Sequence, residues 1–294
     1  MMRTAVVAIL ALVACSTPAP AQTPKFDGAR AFADLKAMVD IGPRPSGSPA
    51  IEKTRDYIRK QLIAAGLKPE DQAFDAQTPN GKIHMVNIRA TLPGQVQDKG
   101  RIVIGGHYDT KLFKDIAFVG ASDAASSAAF LLEIARAFKG RQNALPIELL
   151  FLDGEEAVVD WKGDDHTYGS RYYAQQAKKT GTTKDVRAFI LVDMIGDRDL
   201  NIRREQNSTP WLTEAIWSTA KKLNHPEFVD DPWPIEDDHL EFLEVGIESV
   251  DLIDLDYPAW HKASDDLAHV SARSLQVVGD VLVAALPLIE TRLK

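Results

Sequence analysis

The sequence predicts an α/β fold: a single globular domain whose central, mostly parallel mixed β-sheet is flanked by helices. Short apolar runs of the kind that form strands buried on both faces of a parallel sheet recur along the chain. Segments with helical spacing of apolar residues separate them, and such alternation implies a layered sheet. The 294 residues are 45% hydrophobic and 26% charged, which provides enough apolar material for a substantial core.

The first half of the chain begins with two predicted helices, at 32–39 and 49–65. In the second helix, Ile51, Ile58, Leu62 and Ala65 recur near helical spacing, and Gly66 ends it. The Gly- and Pro-rich stretch 42–48 between the helices is predicted to be a loop. Residues 79–81 (Pro-Asn-Gly) indicate a hairpin turn that leads into an extended segment at 83–91.

Strands and helices then alternate to the end of the chain. The predicted strands are 102–106, 147–152, 189–193 and 249–253. The predicted helices are 124–138, 170–179, 211–223 and about 271–289. This order predicts parallel strands whose carboxyl ends meet at one edge of the sheet, where ligands bind in folds of this class.

Polar side chains follow each of these strands. They are His107 and Asp109, then Asp153, Glu155 and Glu156, then Asp193, and finally His261. Each alone has an ordinary structural explanation, and Asp123 in particular could simply cap the helix predicted to begin at Ala124. Their common position at one edge of the sheet instead favours a functional cluster.

The chemistry of that cluster is limited by the cysteine count. Cys15 is the only cysteine, so a cysteine nucleophile, a thiolate metal site and an intrachain disulfide are excluded. Zinc accepts imidazole and carboxylate ligands and keeps one position open in catalytic sites. In the Glu155-Glu156 pair, Glu156 can bind a metal while Glu155 stays free beside the open position as a general acid–base.

The N-terminal residues are predicted to be an export signal, at 1–21, followed by the catalytic domain at 22–294. Arg3 precedes an apolar stretch at 4–14 that is too short to cross a bilayer as a helix. Residues 12–15 resemble a lipobox, which would lipidate Cys15, whereas 19–21 suit ordinary signal peptidase. Either route exports the protein, to the periplasm or to a lipid anchor on the bacterial envelope.

Several motifs together resemble peptidase family M28, a zinc aminopeptidase family whose superfamily includes the animal-type glutaminyl cyclases. They are His107-Tyr108-Asp109, 120–123 (Gly-Ala-Ser-Asp), 153–156 (Asp-Gly-Glu-Glu), Asp193 and Trp260-His261. The resemblance runs from about residue 41 to the C-terminus. It implies a zinc aminopeptidase-like fold and a zinc site.

The resemblance leaves two main activities open. A two-metal peptidase of this family would use His107, Asp123, Glu156, Asp193 and His261, and all five are present. A cyclase would hold one zinc on Asp123, Glu156 and His261, leaving His107 and Asp193 as a possible second-metal pair. A catalytically inactive peptide-binding relative is a third interpretation, and the intact ligand set argues against it.

Other positions resemble the cyclase form. Trp161 lies five residues after Glu156, Trp260 directly precedes His261, and 235–239 (Ile-Glu-Asp-Asp-His) is similar to a cyclase segment that places a catalytic aspartate at Asp237. The implied catalytic residues are Glu155, Asp193 and Asp237. The implied substrate-binding residues are Trp161, Trp260, Ile235 and Tyr257, although a lone tryptophan more often packs in a core.

The cyclase interpretation implies conversion of an N-terminal Gln into pyroglutamate with release of ammonia. The expected partners are therefore peptides or proteins that begin with Gln. Nucleic acid is not expected, because the net charge is -8 and no basic block is present. A mature protein without a transmembrane span, and a monomer, are also expected. Glu236 and Asp251 depart from the animal pattern, which has Gln and His there.

Overall fold

The computed structural model describes residues 24–294, so the predicted export signal and Cys15 lie outside the described residues. The helices are α1 (Gly28–Ile41), α2 (Pro49–Ala65), α3 (Ser127–Ala137), α4 (Tyr168–Thr180), α5 (Pro210–Lys222), α6 (His239–Glu244) and α7 (Ala272–Leu293). The strands are β1 (Glu70–Thr78), β2 (Gly81–Leu92), β3 (Arg101–His107), β4 (Ile147–Leu152), β5 (Val186–Asp193), β6 (Ile202–Glu205), β7 (Phe228–Trp233) and β8 (Ser249–Ile253). A π-helical turn covers Ala121–Ser126, and a 3₁₀ turn covers Thr183–Asp185.

Six strands form the central sheet in the order β1-β2-β4-β3-β5-β8. β4, β3, β5 and β8 run parallel to one another, while β2 joins β4 antiparallel and β1 pairs with β2 as a hairpin. β6 and β7 form a separate parallel pair. The predicted fold class, a mostly parallel mixed sheet flanked by helices, is confirmed.

The central strands are buried on both faces, as their continuous apolar runs predicted. In β3, Ile104 packs into the core beneath α1, α3 and α7, whereas its neighbour Val103 packs on the opposite side with residues of α4 and α6. In β4, Leu149 packs on the same side as Ile104, and Leu150 packs on the same side as Val103. Because successive side chains of a strand point to opposite faces, one apolar run supplies both cores.

Local sequence explains why the best-predicted helix begins and ends where it does. The Ser48 side chain caps α2 by accepting a hydrogen bond from the Ile51 amide, and Pro49 occupies the first helical position. Gly66 ends the helix in the left-handed conformation at φ 90°, which glycine adopts without strain. The observed bounds, Pro49–Ala65, match the prediction.

The helix predicted at 124–138 starts later than expected. Asp123 and Ala124 have non-helical backbone angles within the π-helical turn, and the regular helix α3 begins only at Ser127. Asp123 therefore does not cap this helix. The turn instead carries the Asp123 side chain toward the sheet edge, where the predicted site lies.

Three elements were not anticipated by the sequence, namely β6, β7 and the short helix α6. The last helix contains Pro287 and continues beyond the predicted end at 289, to Leu293. By length and composition α7 alone among the described residues could cross a membrane, but 56% of its apolar window is buried. Because it packs against α1, α3 and α5, α7 is a core helix of this fold.

Candidate active site

The carboxyl edge of the sheet carries a cavity of about 430 Å³. Nine of the side chains predicted for the site line it, and they are Asp123, Glu155, Glu156, Trp161, Asp193, Ile235, Asp237, Trp260 and His261. Predicted site residues that are absent from the lining are His107 and Tyr257. The parallel strands thus bring together residues that are more than 100 positions apart in the chain.

Asp123, Glu156 and His261 converge on one point of this cavity. The His261 Nε2 atom lies 3.4 Å from Asp123 Oδ2 and 3.2 Å from Glu156 Oε1. One ligand-type atom from each of the three residues lies within 4.8 Å of the others. Tetrahedral zinc with bonds near 2.0–2.1 Å separates its ligand atoms by about 3.3 Å, so the trio has the spacing of a zinc site.

His107, Asp123 and Asp193 form a second trio that shares Asp123 with the first. The His107 Nε2 atom lies 3.3 Å from Asp123 Oδ1 and 3.2 Å from Asp193 Oδ1. Distances alone therefore suit a second metal equally well. The two trios differ in access, because His107 is buried behind the lining while the His261 side chain is 25% exposed.

The turn that carries Asp123 is held by contacts from distant parts of the chain. The buried Asp265 carboxylate accepts hydrogen bonds from the Ser122 and Asp123 amides at 2.7 and 3.1 Å. Gly120 precedes the turn at φ 52°, and a Cβ atom there would lie 1.9 Å from the Asp123 carbonyl oxygen. Only glycine fits this close approach.

The Glu155-Glu156 pair is likewise oriented by a glycine turn and a buried carboxylate. Gly154 turns the chain sharply after β4 at φ 70°, and a Cβ there would meet the Met85 sulfur at 2.5 Å. The Asp109 carboxylate then accepts the Glu155 and Glu156 amides at 3.2 and 3.4 Å. Glu156 consequently points to His261, whereas Glu155 reaches the cavity without joining the first trio.

Several acidic groups crowd the inner end of the cavity. Burial raises the pKa of Glu155 well above its ordinary value, with His107 opposing and Glu156 adding to the increase. Burial, reinforced by the charge of Asp193, does the same to the pKa of Asp237. Asp193 itself accepts hydrogen bonds from Ser127 Oγ and the Met194 amide. The two aspartates interact through their charges, and no direct hydrogen bond joins them among the described residues.

The walls of the cavity are apolar and aromatic. Trp260 stacks on His261 with ring centroids 4.5 Å apart and is 43% exposed. Trp161 also lines the cavity, as does Ile235, which is 7% exposed. Tyr257 lies behind this wall, buried against Ile235, and its hydroxyl donates to Asp265 at 2.8 Å. The structure therefore places Tyr257 among the supports of the site and not at its surface.

Sequence reasoning missed Asp265 and Arg44. Arg44 is fully buried and donates to the carbonyl oxygens of Tyr108, Val119 and Gly120, which links the first motif to the start of the second. Asp265 acts through backbone amides, which a sequence pattern does not display. The one available signal was its place four residues after His261, in a Ser-Asp-Asp run typical of a turn.

Donor chemistry supports a metal at the first trio. The trio combines two carboxylates with one imidazole, which is a common zinc-ligand set. Glu156 Oε2 is buried without a hydrogen-bond partner among the described residues, and its nearest cation, Lys111 Nζ, lies 3.5 Å away. A buried carboxylate oxygen that lacks a full partner is stabilised by a bound cation. The residues therefore fit zinc.

The fold and the site define an α/β enzyme with a carboxylate–histidine cluster at the carboxyl edge of its sheet. A model of peptidase family M28 matches residues 87–286. The chain belongs to peptidase family M28.

Three similar proteins carry informative names. A glutaminyl-peptide cyclotransferase-like protein of Bos taurus is 32% identical over 275 residues, covering 83% of this chain and 71% of the relative. The crystal structure of an Acidobacteriales bacterium glutaminyl cyclase superposes with a TM-score of 0.88 at 37% identity, covering 95% of this chain and 100% of that one. A leucine aminopeptidase precursor from Bacteroides thetaiotaomicron has a TM-score of 0.82 at 28% identity, with coverages of 90% and 98%.

Proposed function

We propose that this protein is a glutaminyl-peptide cyclotransferase, which converts the N-terminal Gln of peptides and proteins into pyroglutamate and releases ammonia. The observation that carries the proposal is Asp237. It lies in the cavity that holds the metal trio, and its Oδ2 atom is buried without a hydrogen-bond partner among the described residues. A buried carboxyl with a free atom costs free energy unless a ligand satisfies it, and the leaving amide nitrogen of Gln can do so.

The reaction needs one proton to be moved from the attacking to the departing nitrogen. The α-amine attacks the γ-amide carbon of the Gln side chain, a C–N bond forms within the new ring, and the bond to the amide nitrogen breaks. Glu155 accepts the proton that the amine loses and delivers it to the nitrogen that leaves as ammonia. Glu155 suits this role because it lines the cavity and is not one of the three predicted ligands.

The two aspartates stabilise the leaving group. Asp237 hydrogen-bonds the amide nitrogen, and the charge of Asp193 helps to raise the pKa of Asp237. Because its pKa is raised, Asp237 retains its proton to a higher pH than an ordinary aspartate does. That proton gives the pair a donor as well as acceptors for the nitrogen that becomes ammonia.

The apolar walls give the substrate its shape and restrict water. Trp161, Trp260 and Ile235 line the cavity. A Gln side chain must fold back toward its own amine before the ring can close, and a narrow apolar slot favours this compact arrangement. Exclusion of water also disfavours hydrolysis of the amide, which would yield Glu in place of pyroglutamate.

Zinc is the metal that the proposal requires, at one ion per chain. Asp123, Glu156 and His261 would hold it, and in that position zinc supplies Lewis-acid polarisation of a carbonyl oxygen. Access supports the single site, because His107 of the second trio does not line the cavity. With a single zinc, neither Asp193 nor Asp237 binds a metal, so both remain available to the leaving group.

An M28 di-zinc aminopeptidase that hydrolyses N-terminal residues is the second candidate. The specific observation in its favour is the trio His107, Asp123 and Asp193, whose spacing suits another metal. Similarity to a leucine aminopeptidase precursor is consistent with it. Asp237 argues for the cyclase, because a hydrolase needs no additional carboxyl to hold a departing side-chain amide.

Activity on short peptides tests the proposal directly. The purified protein is incubated with a glutaminyl dipeptide amide, and ammonia and the blocked product are measured. The control peptide begins with Asn, whose shorter side chain would have to close a strained four-membered ring. We expect ammonia from the Gln peptide only, and no free amino acid from either. Release of amino acids from aminoacyl amides, with the Gln N-terminus left open, would identify the peptidase.

The cellular setting is proposed from the sequence. We propose that the protein is exported, to the periplasm or to a lipid anchor on the envelope, and acts there on peptides or proteins that begin with Gln. The apolar stretch at 4–14 and the two processing motifs after it support export. A monomer that binds no nucleic acid remains our expectation. Fractionation of cells, with mass spectrometry of the mature N-terminus, tests the location.

A further inference from the structure

The side chain of Trp161 is held by two residues that no reaction step uses. Its indole stacks on the His166 ring with centroids 4.2 Å apart and planes within 8°. Its Nε1–H donates to Glu236 Oε2 at 3.1 Å. Trp161 and Glu236 line the cavity, whereas His166 lies behind Trp161 and is 6% exposed. One face of the indole is therefore covered by His166, and Glu236 fixes its edge.

The backbone just before Trp161 is held by side-chain hydrogen bonds. The Asp165 carboxylate accepts three backbone amides in succession, those of Val158, Val159 and Asp160. Asp165 in turn accepts the Tyr168 hydroxyl at 2.6 Å. The backbone of Trp161 is thereby anchored, so the remaining freedom of the side chain lies in its two torsion angles. The contacts with His166 and Glu236 restrict both of them.

The hydrogen bonds around His166 define its neutral tautomer. Thr167 Oγ1 donates its proton to Glu241 Oε1 at 2.9 Å, so toward His166 Nδ1, 3.1 Å away, it can only accept. His166 Nδ1 therefore carries the hydrogen, and the bare Nε2 faces Glu236 Oε1 at 3.8 Å. Protonation of Nε2 converts this contact from two acceptors into a donor and an acceptor.

Four charged side chains lie near His166. Glu236, Glu241 and Asp165 are acidic, and Arg171 donates to the His166 carbonyl at 3.0 Å. Burial lowers the pKa of His166 below its ordinary value of 6.5, with Glu236 opposing the decrease. His166 is thus neutral at pH 7 and gains its charge only in mildly acidic solution.

We propose that His166 and Glu236 are positioning residues that fix the Trp161 indole as one wall of the substrate cavity. A wall that is already in place before the substrate arrives does not lose side-chain freedom on binding, which improves affinity. The identity of the substrate rests on the proposed function, whereas the arrangement of Trp161, His166 and Glu236 is independent of it. Loss of the His166 ring therefore raises KM and leaves kcat nearly unchanged.

Activity measurements with paired variants provide the first arm of the test. His166→Ala removes the stacked ring, and we expect KM for a glutaminyl dipeptide amide to rise about 3- to 10-fold, in line with aromatic stacking energies, while kcat stays within about twofold. His166→Phe restores a flat ring and should return KM to within about twofold of the original value. His84→Ala, at an exposed histidine on β2, is the matched control and should change neither constant.

Tryptophan emission provides the second arm and needs no activity. The chain has five tryptophans, so the Trp161 signal is obtained by subtracting the emission of Trp161→Phe. A protonated imidazole quenches a stacked indole, so we expect this signal to fall with a midpoint below pH 6.5. The step should disappear in His166→Phe, and in Glu236→Gln its midpoint should move to lower pH, because the opposing charge is lost.

The two arms separate failure of the inference from failure of the proposed function. A pH step that persists in His166→Phe, or an unchanged KM in His166→Ala, would overturn the positioning role. A fall in kcat equal to the change in KM for His166→Ala, not rescued by Phe, would overturn it as well, because it would indicate general disruption. If the protein has no cyclase activity, the emission arm still decides between these outcomes.

Discussion

Asp265 holds the metal-ligand candidate Asp123 through the backbone, because its Oδ2 atom accepts the Asp123 amide at 3.1 Å. Its Oδ1 atom accepts the Ser122 amide and the Tyr257 hydroxyl as well. The carboxylate therefore fixes the turn before α3 from a loop that lies 142 residues later in the chain. Such supports of a ligand influence metal affinity even though they never touch the metal.

Asp265→Asn should weaken zinc binding. Asn has one side-chain oxygen and one NH2 group where Asp265 has two oxygens, so one of the two backbone N–H donors loses its acceptor and the Asp123 turn loses part of its support. We expect zinc affinity to fall about 10- to 100-fold, measured by competition with a chelator of known affinity. Asp266→Asn, at the neighbouring residue that pairs with His269 on the surface, is the control. Equal affinities for the two variants would contradict the role of Asp265.

Glu155→Gln should abolish turnover while zinc stays bound. Gln has nearly the same shape but cannot take a proton, so the transfer from amine to ammonia is lost. We expect kcat to fall about 10²- to 10⁴-fold, the range for general acid–base catalysis, with zinc content unchanged. Glu244→Gln, at an exposed position on α6, should behave as the unmodified protein. Substantial activity in Glu155→Gln would assign the proton transfer to another group.

Metal analysis of the intact protein should give one zinc per chain. The prediction follows from the exposure of His261 in the first trio and the burial of His107 in the second. Removal of zinc by a chelator should abolish activity, and one equivalent of zinc should restore it fully. His107→Asn should retain that equivalent. Two zinc ions per chain, with one lost in His107→Asn, would favour the di-zinc peptidase.

The sequence predicted those features that depend on local signals or on the topology of a parallel sheet. The helix at 49–65 follows from Ser48, Pro49 and Gly66, all of which act within a few residues. The gathering of site residues follows from strand ends, since parallel strands place their carboxyl ends at one edge. Nine predicted residues consequently line one cavity, although the role of each remains a prediction.

The errors arise where distant contacts outweigh local preference. Residue 124 was predicted to begin a helix that Asp123 could cap. Asp265, far along the chain, instead holds the turn in a non-helical form. The strands β6 and β7 mix charged with apolar residues, so neither has a clear period. Tyr257 was assigned to the substrate, yet its hydroxyl is directed to Asp265.

Asp254→Asn should stabilise the protein, and the benefit should grow with pH. Asp254 follows β8, is fully buried, and accepts the Asn201 amide through Oδ2, while Oδ1 has no partner among the described residues. Burial, with the charges of Asp197 and Asp256 adding, raises the pKa of Asp254 to about 7 from 3.8. Asn mimics the protonated carboxyl, and it can still accept from Asn201.

Between pH 3.8 and about pH 7, Asp254 keeps its proton in the folded protein but has lost it in the unfolded chain. The stability of the folded protein therefore falls as pH rises through this range. The variant has no such group. The two proteins should therefore be equally stable below pH 4, roughly the unfolded pKa, and diverge up to pH 7. Above that, the variant should be more stable by about 2–4 kcal/mol, which thermal unfolding at several pH values measures. A difference that does not change between pH 4 and pH 7 would show that folding does not raise the pKa of Asp254.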